Sequence, residues 1–177
     1  MMNALSFWQS VFHPTDEALR HKTMLLQKLP AFESVELGDL QPLAQKCLLR
    51  QLGAEVTVYP QGSPAVALYF VAQGSVGLFQ RRRSGQTDRI RVVAPGQFFG
   101  DAALFSPNER QHSAKTLENS LLLALFKSDY EELAITHPRT ALIILTLAAA
   151  KLHHDLTVFQ TEFHELSQKI AKDQLRA

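Results

Sequence analysis

Apolar residues follow a helical spacing in the first quarter of the chain. A helix is predicted from Asp16 to Leu29, with Thr15 as its N-cap and two acidic residues in its first turn. A further helix is predicted over about residues 39–49, because apolar residues recur there at the spacing of one helical face: Leu40, Leu43, Ala44, Cys47 and Leu48. Cys47 is therefore predicted to be a buried hydrophobic residue and not a reactive thiol.

A compact apolar cluster precedes the first of these helices. Its members lie ahead of Pro14 and are Leu5, Phe7, Trp8, Val11 and Phe12. Residues 1–37 are interpreted as a helical N-terminal extension. The cluster either docks a partner or covers this domain or its dimer, and both interpretations stay open.

From Leu52 to Phe126 the apolar residues fall in short runs separated by turn residues. The runs Ala67–Val71 and Ser75–Phe79 are predicted to pair around Gln73-Gly74, and further turns are predicted at residues 83–86 and 94–97. Many short strands at near-regular spacing are typical of a barrel or jelly roll. Residues 38–137 are therefore predicted to form a β-barrel domain with flanking helices.

The last part of the chain, residues 138–177, is predicted to be one long helix that follows a shorter helix over Lys127–His137. Its apolar residues are spaced alternately by four and three: Leu145, Ala149, Leu152, Leu156, Phe159, Phe163, Leu166 and Ile170. This heptad seam predicts a coiled-coil homodimer. The competing interpretation is a helix folded back on its own barrel or on the N-terminal helices.

Composition restricts the class of protein. A chain of 177 residues with 46% hydrophobic and 20% charged residues indicates an ordinary globular domain, and one cysteine excludes an internal disulfide. The net charge of +1 argues against nucleic acid and anionic membrane as partners. No signal peptide is recognised, and the longest apolar run, Ala141–Ala150, falls short of a membrane span, so the expected location is the cytoplasm.

A cluster of arginines requires a separate interpretation. It comprises Arg81, Arg82, Arg83, Arg89 and Arg91. No aromatic residues are interleaved with these charges, so the cluster is interpreted as a solvated hairpin tip that also discourages edge-to-edge pairing.

The stretch from Phe98 to Arg110 carries the candidate chemistry. Gly100 ends a strand-like run and is followed by the carboxylate of Asp101 and a short apolar turn, and Arg110 comes ten residues after the glycine. Backbone N–H groups at a helix start favour anions, and glycine allows a ligand to approach them closely. Arginine adds a permanent charge with forked donors, and a carboxylate accepts hydrogen bonds from sugar hydroxyls. Together these residues predict a pocket for a small sugar phosphate.

The same stretch resembles the phosphate-binding cassette of the cyclic nucleotide-binding domain family. That cassette is written Phe-Gly-Glu-x-Ala-Leu, a variable loop, then Arg-small-Ala; this chain has Phe-Gly-Asp-Ala-Ala-Leu104 and then Arg110-Gln-His-Ser-Ala114. The strand signatures Tyr59-Pro-x-Gly62 and Leu68-Tyr-Phe-Val71 and the entry Leu29-Pro-x-Phe32 also resemble the family. The resemblance covers about residues 29–156 and is to the catabolite activator protein and protein kinase A regulatory subunits.

The resemblance implies an α+β fold. An eight-stranded antiparallel β-barrel or jelly roll, the cyclic nucleotide-binding domain, is expected between N-terminal helices and a long C-terminal helix. It also implies a set of nucleotide-binding residues: Phe99, Gly100, Asp101, Ala102, Ala103, Arg110, Gln111, His112, Lys151 and Asp155. In this set Arg110 neutralises a cyclic phosphate, and Lys151 and Asp155 lie on the stretch that faces the base in family members.

Three positions depart from the family pattern. Asp101 stands where the family has glutamate, so its reach to a ribose hydroxyl is shorter by one C–C bond, ~1.5 Å. The ribose contact is then lost, bridged by water or made to a shifted ligand, and the alternative role of Asp101 is to cap the turn Ala102–Phe105. Gln111 and His112 stand where it has small residues, and His112 either crowds the ligand or, when protonated, pairs with an anion. Gln111 also leans the prediction away from cyclic GMP, because relatives that select guanine often carry a hydroxyl residue there.

Three functions are compared. The first is a stand-alone sensory module that binds cyclic AMP or a related cyclic nucleotide, with no other cofactor, and signals through its C-terminal helix, either as a homodimer or to a protein effector. The second is a degenerate, ligand-free fold that acts as a dimeric interaction scaffold. The third is a metal enzyme on a jelly roll, which is disfavoured because the chain contains no His-x-His. The barrel and helices are expected to use the whole chain and leave no segment for a DNA-reading helix-turn-helix.

Overall fold

The computed structural model describes residues 16–105 and 109–174, with side chains described as far as residue 170. In chain order its elements are α1 (Asp16–Gln27), a 3-10 turn (Pro30–Phe32), α2 (Leu37–Lys46), β1 (Leu48–Leu52), β2 (Thr57–Tyr59), β3 (Ala67–Gln73), β4 (Val76–Arg81), β5 (Thr87–Val93), β6 (Phe98–Phe99), α3 (Ala102–Phe105), β7 (Ser113–Thr116), β8 (Ser120–Phe126), α4 (Lys127–Thr136) and α5 (Pro138–Gln174). The apolar cluster of residues 4–12 and the proposed N-cap Thr15 lie outside the described residues.

The strands form two antiparallel sheets of four strands each, in the orders β1-β8-β3-β6 and β2-β7-β4-β5. Apolar side chains from both sheets meet in one buried cluster, because alternate residues of each strand point to the same face. The predicted jelly roll, with helices at both ends, is therefore confirmed. The two sheets do not close into a barrel.

The predicted pairing of Ala67–Val71 with Ser75–Phe79 is wrong. β3 pairs with β8 and β6, whereas β4 belongs to the other sheet and pairs with β5 and β7. Gly74 carries the chain from one sheet to the other at a positive φ of 74°. A Cβ on Gly74 would clash with the hydroxyl of Ser120 and lie 2.5 Å from the carbonyl of Asn119, so the glycine serves a close crossing of chains and not a hairpin.

The helix predicted over residues 39–49 is shifted and shorter. α2 ends at Lys46, and Leu48, which the pattern placed on the helix face, is a half-exposed residue of β1. Strand pairing overrides helical spacing here, because β1 is hydrogen-bonded to the buried strand β8. The burial of Cys47 is confirmed at 2% exposure, and that burial raises the pKa of its thiol to about 12.

The long C-terminal helix is confirmed as α5. The chain consists of two units, each compact within itself, of which the first ends at Ala141 and the second begins at Leu142. In the second unit the predicted seam is exposed, and its large side chains have between 42% and 67% of their surface accessible: Leu145, Leu152, Leu156, Phe159, Phe163, Leu166 and Ile170.

The same helix also corrects the sequence argument about membrane spans. By length and composition alone, Pro138–Ile170 is long and apolar enough to cross a membrane, with a mean hydropathy of 1.4 over its most apolar window. The run Ala141–Ala150 is part of this longer helix, whose most apolar window of 18 residues contains at most two charged residues. One such helix is weak evidence for a membrane segment.

Candidate cyclic nucleotide site

Arg110 is a charged side chain buried at the end of the jelly roll, with 5% of its surface exposed. Its Nη1 donates to the carbonyl of Gly100 at 3.1 Å, and its Nη2 donates to the carbonyl of Ala67 at 2.6 Å. Its Nε is buried and has no hydrogen-bond partner among the described residues. A buried donor without an acceptor is unfavourable by about 1–3 kcal/mol, and more in a charged group. The Nε of this guanidinium can therefore donate a hydrogen bond to an anion that enters the site.

Gly100 is the residue that permits this arrangement. It follows β6 with a φ of 77°, in the left-handed region that side chains with a Cβ rarely adopt. A Cβ at this position would lie 2.7 Å from Nη1 of Arg110 and 3.0 Å from the carbonyl of Ala67. The glycine of the predicted cassette is therefore required both by its backbone conformation and by the guanidinium beside it.

The short helix α3 continues the cassette. The N–H of Ala103 donates to the carbonyl of Gly100 at 3.1 Å, and the N–H of Leu104 donates to that of Asp101 at 3.0 Å. Asp101 is half-buried and Ala102 is exposed, whereas Phe99 and Ala103 are buried. The structure thus brings the first five predicted site residues into one turn that adjoins Arg110.

The residues after Arg110 alternate between the inside and the outside of the jelly roll. Arg110 and Ala114 are buried and His112 is half-buried, whereas Gln111 is exposed and its side-chain amide donates to the carbonyl of Glu109 at 3.2 Å. This alternation is the period of an extended strand leading into β7. His112 therefore belongs to the interior with Arg110, and the side chain of Gln111 does not.

Tyr59 is a site residue that sequence reasoning missed as a functional group. Its ring centroid lies 4.0 Å from the guanidinium carbon of Arg110, within the range of a cation–π contact, and its hydroxyl lies 3.3 Å from Nε2 of His112. Burial raises the pKa of Tyr59 to about 12, although the neighbouring Arg110 charge opposes that rise. Its position at the end of β2, before the Pro-x-Gly turn, was the signal in the sequence.

Two further aromatic rings support Tyr59. The ring of Tyr59 lies 5.9 Å from that of Tyr69 and 6.0 Å from that of Phe99, and Tyr69 and Phe99 are stacked at 5.2 Å. These centroid distances are typical of attractive aromatic pairs. The ring of Tyr59 from β2, which lies against the guanidinium of Arg110, is therefore packed against aromatic rings from β3 and β6.

Arg91 also differs from its interpretation as part of a solvated hairpin tip. It is half-buried and pairs with Leu78, which pairs in turn with Ala114, so Arg91 lies on the inner face of the same cross-strand row. Arg91 lies two residues before the buried Val93 in the same regular register, and the bulge between Leu78 and Phe79 comes only after this pair. The hairpin tip itself is exposed, and there Arg82 forms an ion pair with Asp88.

The remaining predicted site residues, Lys151 and Asp155, form an ion pair one turn apart on α5, with Nζ 2.8 Å from Oδ2. Within residues 16–105 and 109–174 no group of three or more His, Cys, Asp or Glu side chains is placed to hold a metal ion. The charged group that the described site buries is the guanidinium of Arg110, which can donate hydrogen bonds to an anion.

Comparison with known proteins agrees with this chemistry. Residues 49–137 match the family described as "Cyclic nucleotide-binding domain". The chain is 35% identical over 127 residues to the cyclic AMP receptor protein of Thermus thermophilus, a match that covers 65% of this chain and 59% of that protein. It is 29% identical to a putative potassium channel protein of Rhodopseudomonas palustris, covering 66% of this chain and 28% of the channel protein.

Solved structures show the same fold. The crystal structure of the Thermus thermophilus catabolite activator protein matches with a TM-score of 0.64 at 31% identity, covering 76% of this chain and 63% of that one. The sensor domain of the transcriptional regulator DNR from Pseudomonas aeruginosa matches with a TM-score of 0.63 at 25% identity, covering 80% and 95%. The chain thus spans less than two thirds of the length of the Thermus protein. With the matched domain extending over half of its residues, the chain belongs to the cyclic nucleotide-binding domain family.

Proposed function

We propose that this chain is a regulatory, non-catalytic module of the cytoplasm that binds cyclic AMP or a related cyclic nucleotide. The observation that carries the proposal is the buried Arg110, whose Nε has no hydrogen-bond partner among the described residues. A cyclic phosphate has one negative charge and oxygen acceptors, and so satisfies both the charge and the orphaned donor. The related proteins whose names refer to cyclic AMP support this ligand.

In this proposal different residues of the cassette contact different parts of the ligand. Arg110 neutralises the phosphate, and the turn from Phe99 to Ala103 lies against the sugar phosphate. Asp101 accepts hydrogen bonds from the ribose, with a reach shortened by one C–C bond, ~1.5 Å, relative to glutamate. The outward side chain of Gln111 takes no part, whereas the inward His112 adjoins the ligand. Lys151 and Asp155 of α5 are proposed to face the base.

The output of the module is proposed to run through α5. The seven large side chains of its seam are exposed in the single chain, and soluble proteins seldom leave an apolar stripe of that length in water. A parallel homodimer would bury this stripe as the a and d positions of a coiled coil. Ligand and dimer contacts would then share one helix, so that binding changes helix pairing by ~1–3 kcal/mol and thereby reaches a protein effector.

A degenerate, ligand-free scaffold is the second candidate, and one observation favours it. The ring of Tyr59 already lies against the guanidinium of Arg110, and His112 occupies the interior where the family pattern has a small residue. In that case the domain keeps the fold and the exposed seam of α5 but has lost its nucleotide.

A thermal-shift panel separates the two candidates. We expect one cyclic nucleotide to raise the melting temperature in a concentration-dependent way, because a ligand that binds only the folded state stabilises it. Cyclic AMP and cyclic GMP are compared with linear AMP and inorganic phosphate as controls for nonspecific anion binding. Identical melting temperatures with and without every nucleotide, at millimolar concentration, would contradict the sensor and support the scaffold.

A further inference from the structure

His112 occupies a position inside the jelly roll that the site does not need for holding a phosphate. It comes two residues after Arg110 and two before the buried Ala114, so all three side chains belong to the inner face. The intervening residues point outward, since Gln111 is exposed and the hydroxyl of Ser113 accepts the N–H of Gln61 at 2.9 Å. The imidazole of His112 therefore lies on the same face of the strand as Arg110.

Tyr59 faces the same interior from the neighbouring strand. It pairs with Ala114 in the register between β2 and β7, and its hydroxyl is hydrogen-bonded to Nε2 of His112 at 3.3 Å. The two rings lie 6.2 Å apart, and the tyrosine ring lies 4.0 Å from the guanidinium carbon of Arg110. Tyr59 and His112 thus form a connected pair, which we call the cover, with Tyr59 on one face of the guanidinium.

The surroundings of Tyr59 restrict how this cover can move. Tyr69 and Phe99 pack against its ring from within the core, and the ring is only 6% exposed. It cannot move deeper, because protein interiors are close-packed. His112 is half-buried and is the member of the pair with a route toward solvent. Movement of the Tyr59 ring away from Arg110 therefore requires that its hydrogen bond to His112 be broken.

We propose that His112 determines the affinity of this site, because with Tyr59 it forms a cover over Arg110 that an incoming nucleotide displaces. The inference rests on the proposed function, whose ligand approaches the guanidinium from the inner face. In the free protein Arg110 is shielded from water by the aromatic groups of the chain. The free energy of ligand binding is therefore the difference between the contacts that the ligand makes and those of the cover that it displaces. A small residue at position 112 would remove the hydrogen bond that secures Tyr59.

The proposal predicts a gain of binding from a loss of side chain. His112→Ala binds cyclic AMP roughly tenfold more tightly than wild type and with a faster association rate, the change expected from one hydrogen bond that no longer has to be broken. Tyr59→Phe, which removes only the hydroxyl, shifts affinity in the same direction by less. Gln111→Ala is the matched control, because its side chain points outward, and it binds as wild type does.

A second measurement needs no ligand and keeps the two hypotheses distinguishable. Phenylglyoxal reacts with accessible guanidinium groups, and peptide mass mapping gives the rate at Arg110 alone. This rate increases in His112→Ala and in Tyr59→Phe but not in Gln111→Ala, while the melting temperatures of the unliganded variants establish that all are folded.

The outcomes separate the cover from the nucleotide. Equal affinity and equal Arg110 reactivity in wild type and His112→Ala would overturn the cover and leave nucleotide binding intact. Faster Arg110 modification in His112→Ala, without binding of any nucleotide by any variant, would support the shielding of Arg110 by the cover but overturn the proposed function, and with it the role of His112 in affinity. If Arg110 reactivity is unchanged in His112→Ala and no variant binds a nucleotide, both the cover and the proposed function are overturned.

Discussion

The interior beside Arg110 and the surface of α5 both hold groups in an unfavourable environment, but in opposite senses. Arg110 is a charge with a buried donor that has no acceptor among the described residues. Along α5, large apolar side chains such as Phe159 and Phe163 are 62% exposed to water. In the proposed function an anion would resolve the first mismatch and an apolar surface the second. The comparison teaches that the two regions call for partners of opposite chemistry, one small and anionic, the other large and apolar.

The largest expected effect concerns the exposed seam. Leu156→Asp combined with Phe163→Asp should convert a dimer to soluble monomers, because each buried side chain of this size contributes about 1.5–3 kcal/mol and a charge cannot replace it. Multi-angle light scattering at tens of micromolar measures the mass directly. Thr157→Asp combined with Thr161→Asp is the control, since both threonines are exposed and lie off the seam. Wild-type protein that is already monomeric at this concentration would show that the dimer proposal is wrong.

The interior is probed next at Gly100. Gly100→Ala should lower the free energy of unfolding by about 1–3 kcal/mol, because a positive φ and a contact 2.7 Å from Arg110 are combined there. Gly85→Ala is matched to it, since Gly85 also has a positive φ, of 87°, but a Cβ there would meet nothing within 4 Å. Urea denaturation of both variants separates backbone strain from the clash with Arg110. Equal losses of unfolding free energy in Gly100→Ala and Gly85→Ala would show that the side chain of Arg110 moves away from the added Cβ at no energetic cost.

A third prediction uses the pH dependence of stability to test how completely the Cys47 thiol is shielded from water. Burial raises the folded-state pKa of Cys47 from 9.0 to about 12, so the folded protein keeps a proton that the unfolded chain releases. Stability is therefore unaffected below about pH 9 and falls between about pH 9 and 12 by at most about 1.4 kcal/mol per pH unit from this thiol. Denaturation midpoints across that range should decline less steeply in Cys47→Ala. Parallel declines would argue against deep burial of the thiol.

The smallest effect is expected at Asp101. Asp101→Glu should leave the affinity for cyclic AMP unchanged or improve it by no more than about tenfold, because the longer side chain restores the reach to a ribose hydroxyl. Calorimetry with cyclic AMP and with 2′-deoxy cyclic AMP measures this directly, since only the former has that hydroxyl. A gain that is equal for both nucleotides would show that the carboxylate does not contact the ribose.

The sequence predicted the fold where a local pattern and a family motif agreed. The cassette from Phe99 to Arg110 and the long helix α5 are examples, because their spacing is a property of adjacent residues. It failed where tertiary pairing decides: Leu48 continues a helical pattern but joins a strand paired with β8, and β3 and β4 separate into different sheets at Gly74. Propensity and spacing cannot anticipate which distant strand will compete for a segment.

Sequence reasoning singled out Gly100 and Arg110 of the candidate site but missed the parts of Tyr59 and Arg91. Arg110 and Gly100 are recognisable from their spacing, but the contact of Tyr59 with Arg110 joins residues that are 51 positions apart. Arg91 lies on the face of the buried Val93, but only the pairing of β5 with β4 and of β4 with β7 places it in one row with Ala114. Such features follow from how two sheets meet, and only the folded chain shows them.

The central claim, that Arg110 holds the phosphate of a cyclic nucleotide, is tested most directly by calorimetric titration of wild type and Arg110→Ala with cyclic AMP. Arg83→Ala, on the exposed hairpin, is the control for loss of one positive charge. The account predicts one nucleotide bound per chain by wild type and by Arg83→Ala, and affinity lower by at least about a hundredfold in Arg110→Ala, since hydrogen bonds to a charged group and the neutralisation of a buried phosphate are lost together. Indistinguishable titrations of Arg110→Ala and wild type would contradict it.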